Sequence, residues 1–269
     1  MLSVVVVTKN EQELIKTCLE SVSFADEIIV FDNGSTDKTL EIAKAYTNKI
    51  FKTDDSDFAT LRNKAFKETK GDWILYVDAD ERILQPLKEE ILKLIGAEKT
   101  AFSAFAISRK NIVFGSEQKY KAFWPDWVIR LLKRSDFESW IGKVHEYPRF
   151  KGELGYLKNS FLHLTHRNVD HFMSKLLEWS KIDAKLRFES NHPKMSSWRF
   201  FRILITETFN QGIKRGGFFA GTVGVIDSFL QSFSLLITYV RVWEMQQSPT
   251  LPEVYKKIDR ELIKNNFNL

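Results

Sequence analysis

Val4-Val5-Val6-Val7, running into Thr8, decides the fold. Four β-branched residues in a row are too few for a helix and are apolar on both faces. A central strand of a parallel sheet reads this way. Working outward, Leu14, Cys18, Leu19 and Val22 fall on one helical face, and Asn10 stands where it would cap that helix, with Glu13 three positions on. Glu27-Ile28-Ile29-Val30-Phe31-Asp32 is a second strand ending in an acid, and Asn33-Gly34-Ser35 turns the chain into a helix carrying Thr39, Ile42, Ala43 and Tyr46. A short strand at Ile50-Phe51-Lys52, a helix from Phe58 to Thr69 and a fourth strand from Trp73 to Val77 complete the alternation. Strands and helices alternating at this length imply a parallel sheet with right-handed crossovers.

In such sheets ligands bind beyond the carboxyl ends of the strands. Thr8, Asp32 and Asp78 all stand at those ends. The fourth strand runs directly into Asp78-Ala79-Asp80-Glu81. Alternate residues of an extended segment point the same way, so Asp78 and Asp80 put carboxylates on one side. Hard oxygen donors suit Mg²⁺ or Mn²⁺, which keep their remaining positions for water and substrate phosphates. A solvated turn is the other use of such a segment. Neither a GxGxxG after the first strand nor a Walker A sequence is present, so the usual dinucleotide and P-loop sites lack their phosphate loops.

The totals bound the class. The chain has 269 residues, 43% hydrophobic and 28% charged, enough for a sizeable core. One cysteine, Cys18, excludes an intramolecular disulfide framework and a multi-cysteine zinc site, and fits a reducing compartment such as the cytoplasm. Met1 to Val7 has no preceding basic segment and reads as a strand, not a leader. Residues 1–150 hold 23 Lys+Arg against 24 Asp+Glu, whereas residues 151–269 hold 17 against 11. The basic half carries no nucleic-acid motif, so nucleic acid is not an expected partner.

Three blocks carry a resemblance: TKNEQELIKTCLESV (8–22), DEIIVFDNGSTDKTLEIAKAY (26–46) and LRNKAFKETKGDWILYVDADE (61–81). In order, they resemble the inverting family 2 glycosyltransferases with the GT-A fold, over roughly residues 1–150. PDWVIRLLKR (125–134), GKVHE (142–146) and the helical tail resemble the branch that includes lipopolysaccharide-core glucosyltransferases. The resemblance implies a GT-A catalytic domain over 1–165, a Rossmann-like, mostly parallel α/β sheet flanked by helices, and a helical extension over 166–269. It also implies a UDP-hexose donor, with glucose first, and a cell-envelope glycolipid or saccharide acceptor. Transfer to polyprenyl phosphate or to a peptide, and nucleotide-sugar binding without turnover, are the rival functions.

The same resemblance places Thr8, Asn10 and Glu11 beside the nucleoside and Asp32 on the uracil or ribose. Asp32 fits equally as the cap of the Asn33-Gly34 turn. Arg62 would approach the base or phosphates, Asp78 the ribose or metal-bound water, and Asp80 the divalent metal. An inverting transfer needs one base. Glu146 is the first candidate and Asp126 the second, with Glu138 behind them. His145 is the expected third metal ligand, with His163 or His166 in its place. Arg130 and Lys143 would hold phosphate oxygens. Trp124 and Trp127 fit a sugar ring or the core.

From Val169 onward the chain reads as helical, with Phe200 to Phe209 and Phe218 to Val240 as apolar runs. The second approaches the length of a membrane span, but Asp227, Gln231, Gly221 and Gly224 argue against insertion. Helices lying on the cytoplasmic face of a membrane are one expectation. Packing against the catalytic domain or a second copy is the other.

Overall fold

The structure, a computed structural model, describes residues 1–53, 57–97, 100–142 and 146–267. The chain divides into two compact units, Met1–Arg167 and Asn168–Leu269.

In the first unit, the strand containing Val4–Val7 is β1 (Leu2–Thr8), with α1 (Ile15–Ser21) following it. Next come β2 (Glu27–Asp32), α2 (Thr39–Ala43), β3 (Ile50–Lys52), α3 (Phe58–Glu68) and β4 (Trp73–Asp78). The sheet order β3-β2-β1-β4 is parallel throughout and sets β1 between β2 and β4. Every residue of β1 is buried, as a strand with two apolar faces must be. Val4 and Val6 pack with Ile15 and Leu19 of α1, while Val5 and Val7 join Leu61 and Ala65 of α3. Gly71 precedes β4 because a Cβ there would meet the Ser3 amide nitrogen at 2.6 Å.

The chain continues through β5 (Glu81–Arg82), α4 (Gln85–Ile95), β6 (Phe102–Val113), β7 (Ser116–Gln118) and β8 (Trp127–Lys133). It ends the unit with β9 (Phe137–Ile141), β10 (Tyr147–Phe150), β11 (Glu153–Tyr156) and β12 (Phe161–Thr165). Here the sheet becomes mixed. β8 is antiparallel to both β4 and β6, β12 runs parallel to β6, and β5 pairs antiparallel with β12 at the edge. β9 and β10 form a separate hairpin.

Two sequence expectations fail locally. Asn10 does not cap a helix: it lies at φ 54°, its Oδ1 accepts from the Thr36 amide at 2.8 Å, and α1 begins only at Ile15. By its sequence, Lys110 to Trp124 reads as a long connection between two strands, but it is partly strand. β6 runs on to Val113 and turns into β7 through Phe114 and Gly115, both at positive φ. That is the backbone a two-residue hairpin turn requires.

The second unit comprises α5 (Val169–Glu189), α6 (Ser197–Phe209), α7 (Gly221–Met245) and α8 (Leu251–Lys264). A π-turn at Asn210–Lys214 and a 3₁₀ turn at Gly217–Phe219 join α6 to α7. Ala184, Met195 and Val242 form its small core, with Phe200 and Ile203 of α6 against it.

Candidate active site

Register brings the acids together. Thr8 pairs with Asp32 across β1 and β2, and Val7 pairs with Asp78 across β1 and β4, so the strands end level. The turn after β4 is held from three sides. The Ala79 amide donates to Val7 O at 3.0 Å, and the Leu164 amide donates to Asp80 O at 2.8 Å. Arg82 donates to Ala79 O at 2.9 Å and to Leu14 O at 2.8 Å, pinning the turn to the start of α1.

Asp78 is gripped by two guanidiniums. Arg62 Nη2 reaches Oδ1 at 2.9 Å from α3, and Arg130 Nη2 reaches Oδ2 at 2.6 Å from β8. Burial opposes ionisation of Asp78, but Arg130 and Arg62 outweigh it and bring the carboxyl down to about 2. Each oxygen of Asp78, expected to help hold a metal, already accepts a bond from an arginine. Arg62 is itself buried at 2% exposure, lies over the Tyr76 and Trp140 rings, and donates Nε to Glu146 Oε1 at 3.1 Å. Burial works against its charge, but the two carboxylates hold its pKa above the ordinary arginine value. Arg62 is therefore a brace inside the site, joining α3, β4 and the segment before β10.

Glu81 is wholly buried. Its Oε2 accepts from the Asp78 amide at 3.0 Å, and its Oε1 lies 3.7 Å from Arg109 Nη1. Burial, and then the charge of Asp78, raise its pKa. Asp126 Oδ2 accepts from Arg109 Nε and Nη2 at 2.9 and 2.8 Å and from Asn111 Nδ2 at 2.9 Å. Burial opposes this charge too, yet the Arg109 bond and charge leave the Asp126 pKa lowered. A carboxylate so engaged is a poor proton acceptor, so Asp126 fits the expected role of base badly.

Asp80 has a different neighbour. His163 pairs with Glu81 across β12 and β5, and with Asn111 across β12 and β6. This register sets its ring between Asp80 and Asn111. Nε2 lies 3.5 Å from Asp80 Oδ2, and Nδ1 lies 2.5 Å from Asn111 Oδ1. The Asn111 amide nitrogen is committed to Asp126, so its oxygen faces His163 and Nδ1 is the donor. In the neutral ring the Nε2 lone pair then faces the Asp80 side. An imidazole fixed this way by a second-shell acceptor is the usual form of a metal-ligating histidine.

Among the described residues no group of three or more His, Cys, Asp and Glu side chains is placed to hold a metal ion. Two ligands with nearby substrate oxygens suffice for Mg²⁺ or Mn²⁺. Asp80 and His163 fit that donor set. His145 and Lys143 lie outside the described residues.

Residues 3–155 match the family model described as glycosyl transferase family 2. This chain belongs to that family. The family 2 glycosyltransferase is therefore an enzyme, and its strand-centred sheet with flanking helices is a GT-A fold. It is 26% identical to an uncharacterised glycosyltransferase of Rickettsia typhi, over 91% of this chain and 87% of that protein. It is 24% identical to the lipopolysaccharide core biosynthesis glycosyltransferase LpsC of Rhizobium meliloti, over 94% of this chain and 96% of that one. Among solved structures, S. aureus TarS 1–349 in complex with UDP-GlcNAc aligns at TM-score 0.46 and 16% identity, covering 95% of this chain and 91% of that one.

The remaining expected site residues of this glycosyltransferase are placed as follows. Asp32 accepts from the Ser35 amide at 3.1 Å, so its carboxylate caps its own turn. Thr8 Oγ1 is buried and has no hydrogen-bond partner among the described residues. Glu11 pairs with Arg167 at 3.0 Å. Trp124 and Trp127 are exposed, not in the core. Sequence reasoning missed Arg109 and Asn111. Their only sequence signal is alternation: they sit two apart in Ser108-Arg109-Lys110-Asn111, and both reach Asp126.

Proposed function

We propose that this family 2 glycosyltransferase transfers a hexose, glucose first, from UDP to a saccharide of a cell-envelope glycolipid, inverting the anomeric centre. The observation carrying this reading is Asp80 beside a histidine whose tautomer Asn111 fixes, at the strand ends where a donor binds in such sheets. Asp80 and His163 hold a divalent cation, which supplies charge for a departing diphosphate. Arg130 and Arg62 keep Asp78 ionised and fixed beneath the nucleotide, and Thr8, Asn10, Glu11 and Asp32 form the nucleoside side of the site.

Glu146 is the base. Its carboxylate takes the proton of the acceptor hydroxyl while that oxygen bonds to the anomeric carbon and the bond to UDP breaks. Its Oε1 accepts from Arg62, which holds the carboxylate in one orientation. The match along nearly the whole length of LpsC supports an acceptor of the lipopolysaccharide-core kind and a site of action at the cytoplasmic face of the membrane.

The test is UDP release from a panel of UDP-hexoses with core oligosaccharide as acceptor, with and without Mn²⁺. UDP-glucose turnover that depends on the cation and is lost in Asp80→Asn is expected. Equal rates in chelator, or in Asp80→Asn, would reject the cation role. Turnover only with polyprenyl phosphate or a peptide would reject the acceptor.

A further inference from the structure

The helix α7 is inside out. Its buried positions are Gly224, Asp227, Ser228, Ser232, Thr238 and Val242. Its exposed positions include Ile226, Phe229, Phe233, Val240 and Trp243. A helix of a water-soluble domain places these sets the other way round. The inner hydroxyls need no water: Ser228 Oγ donates to Gly224 O and Ser232 Oγ to Ser228 O, each at 2.7 Å. The inner face also packs tightly, since a Cβ on Gly224 would stand 2.4 Å from Gly217 O.

Helix α6 repeats the outward half of the pattern. It has no buried residue. Trp198, Phe201, Ile205 and Phe209 are 72%, 63%, 65% and 59% exposed. At 3.6 residues per turn they fall within an arc of about 80°. The connector adds Phe219 at 77% exposure. Charge is one-sided: residues 197–220 contain Arg199, Arg202, Lys214 and Arg215 against the single acid Glu207. An apolar aromatic stripe bordered by cations has the composition of a helix lying at a lipid interface. Contiguous apolar surface of this kind marks an interaction site on a soluble protein.

We propose that the outer face of the α6–α7 hairpin is the membrane-binding surface of this protein. Trp198, Phe201, Ile205 and Phe209 enter the acyl boundary of one leaflet, and Arg202, Lys214 and Arg215 meet anionic headgroups. α7 is long and apolar enough to cross a bilayer by length and composition. Its polar inner face, packed on the turn at Gly217, makes it the inner wall of the hairpin instead. The inference deepens the membrane location proposed above and stands on the hairpin alone.

The test is flotation of the full chain with vesicles of phosphatidylcholine, alone or mixed with phosphatidylglycerol, in the absence of donor and acceptor. Binding to the anionic vesicles, reversed by carbonate extraction, is expected. Phe201→Ser with Ile205→Ser should abolish it and leave the melting curve unchanged, because neither side chain is buried. Changing Arg202, Lys214 and Arg215 to Gln should weaken anionic-vesicle binding roughly a hundredfold. A blue shift of Trp emission on vesicles should shrink in Trp198→Phe. A chain that never floats, or a Ser variant that floats like wild type, overturns the proposal. So does resistance to carbonate, which would make α7 a span, or a lipid-free dimer that the Ser variant dissociates. Flotation without UDP release would keep this surface and reject the proposed reaction, and UDP release without flotation would do the reverse.

Discussion

Nε2 of His163 faces Oδ2 of Asp80 across 3.5 Å, with Asn111 Oδ1 closing on the opposite ring nitrogen. The three residues come from β12, the turn after β4, and β6. If this ring is a cation ligand, the amide behind it sets cation affinity. We expect Asn111→Ala to raise the Mn²⁺ concentration for half-maximal UDP release by roughly 10- to 100-fold, as loss of a second-shell partner does. The maximal rate at saturating Mn²⁺ should change far less. An unchanged Mn²⁺ titration would remove His163 from the cation shell.

Glu146 and Asp126 separate by their partners. Glu146 Oε1 accepts from Arg62, whereas Asp126 Oδ2 accepts from both Arg109 and Asn111. Glu146→Gln should therefore lower kcat by about 10²- to 10⁴-fold, the range for a lost general base, with little change in UDP-glucose affinity. Asp126→Asn should act mainly on thermal stability, because it takes from Arg109 its closest carboxylate. Stopped-time kinetics and calorimetric UDP-glucose binding on both variants check this.

Arg62 is expected to matter to folding as well as to chemistry. Removing one member of a buried ion pair strands the other, at a cost of about 3–5 kcal/mol. Arg62→Met leaves Glu146 without that partner and Asp78 with Arg130 only. Arg62→Lys should recover little, since an ammonium cannot span both carboxylates as a planar fork does. Urea unfolding of the two variants reads the difference.

Glu27 offers a pH test away from the site. Its carboxylate accepts from Ser3 Oγ and the Lys70 amide and pairs with Lys49. Burial would raise its pKa, but Lys49, Ser3 and Lys70 outweigh burial and lower it. A folded-state pKa below the unfolded value adds stability at pH above the ordinary glutamate range and loses it as pH falls through the folded value. Glu27→Gln should cost about 2 kcal/mol at neutral pH. The gap between variant and wild type should close below about pH 4. A gap that persists in acid would mean the charge is not what holds Ser3 and Lys70.

The parallel half of the sheet was legible because its strands are apolar on both faces and end in polar residues at one level. Val4–Val7 and the acid after Val77 needed nothing but composition and position. The other half was not, because its key strand carries buried polar residues, Ser108 and Asn111, among its apolar ones. Ser108, Arg109 and Asn111 carry no apolar signal in sequence, yet Ser108 bonds Ser160 at 2.6 Å and the others bond Asp126. Partners 15 and more residues away settle such positions, and no local pattern encodes them. The same limit applied to Asp78. Its spacing from Asp80 suggested a shared cation, and only the fold reveals that arginines from α3 and β8 hold both oxygens. Asn10 misled for a local reason: asparagine caps helices and also tolerates left-handed backbone, and here the second use prevailed.

The two arginines on Asp78 also time the birth of activity. One arrives with a helix close in sequence, whereas Arg130 arrives only when β8 docks antiparallel on β4, some 50 residues downstream. Distant strand pairings close late because the loop entropy precedes the reward. A nascent or refolding chain can thus complete the crossovers from β1 to β4 and remain inert. Turnover should wait for that docking and for β12, which brings His163 beside Asp80, making enzymatic rate a clock for the mixed half of the sheet.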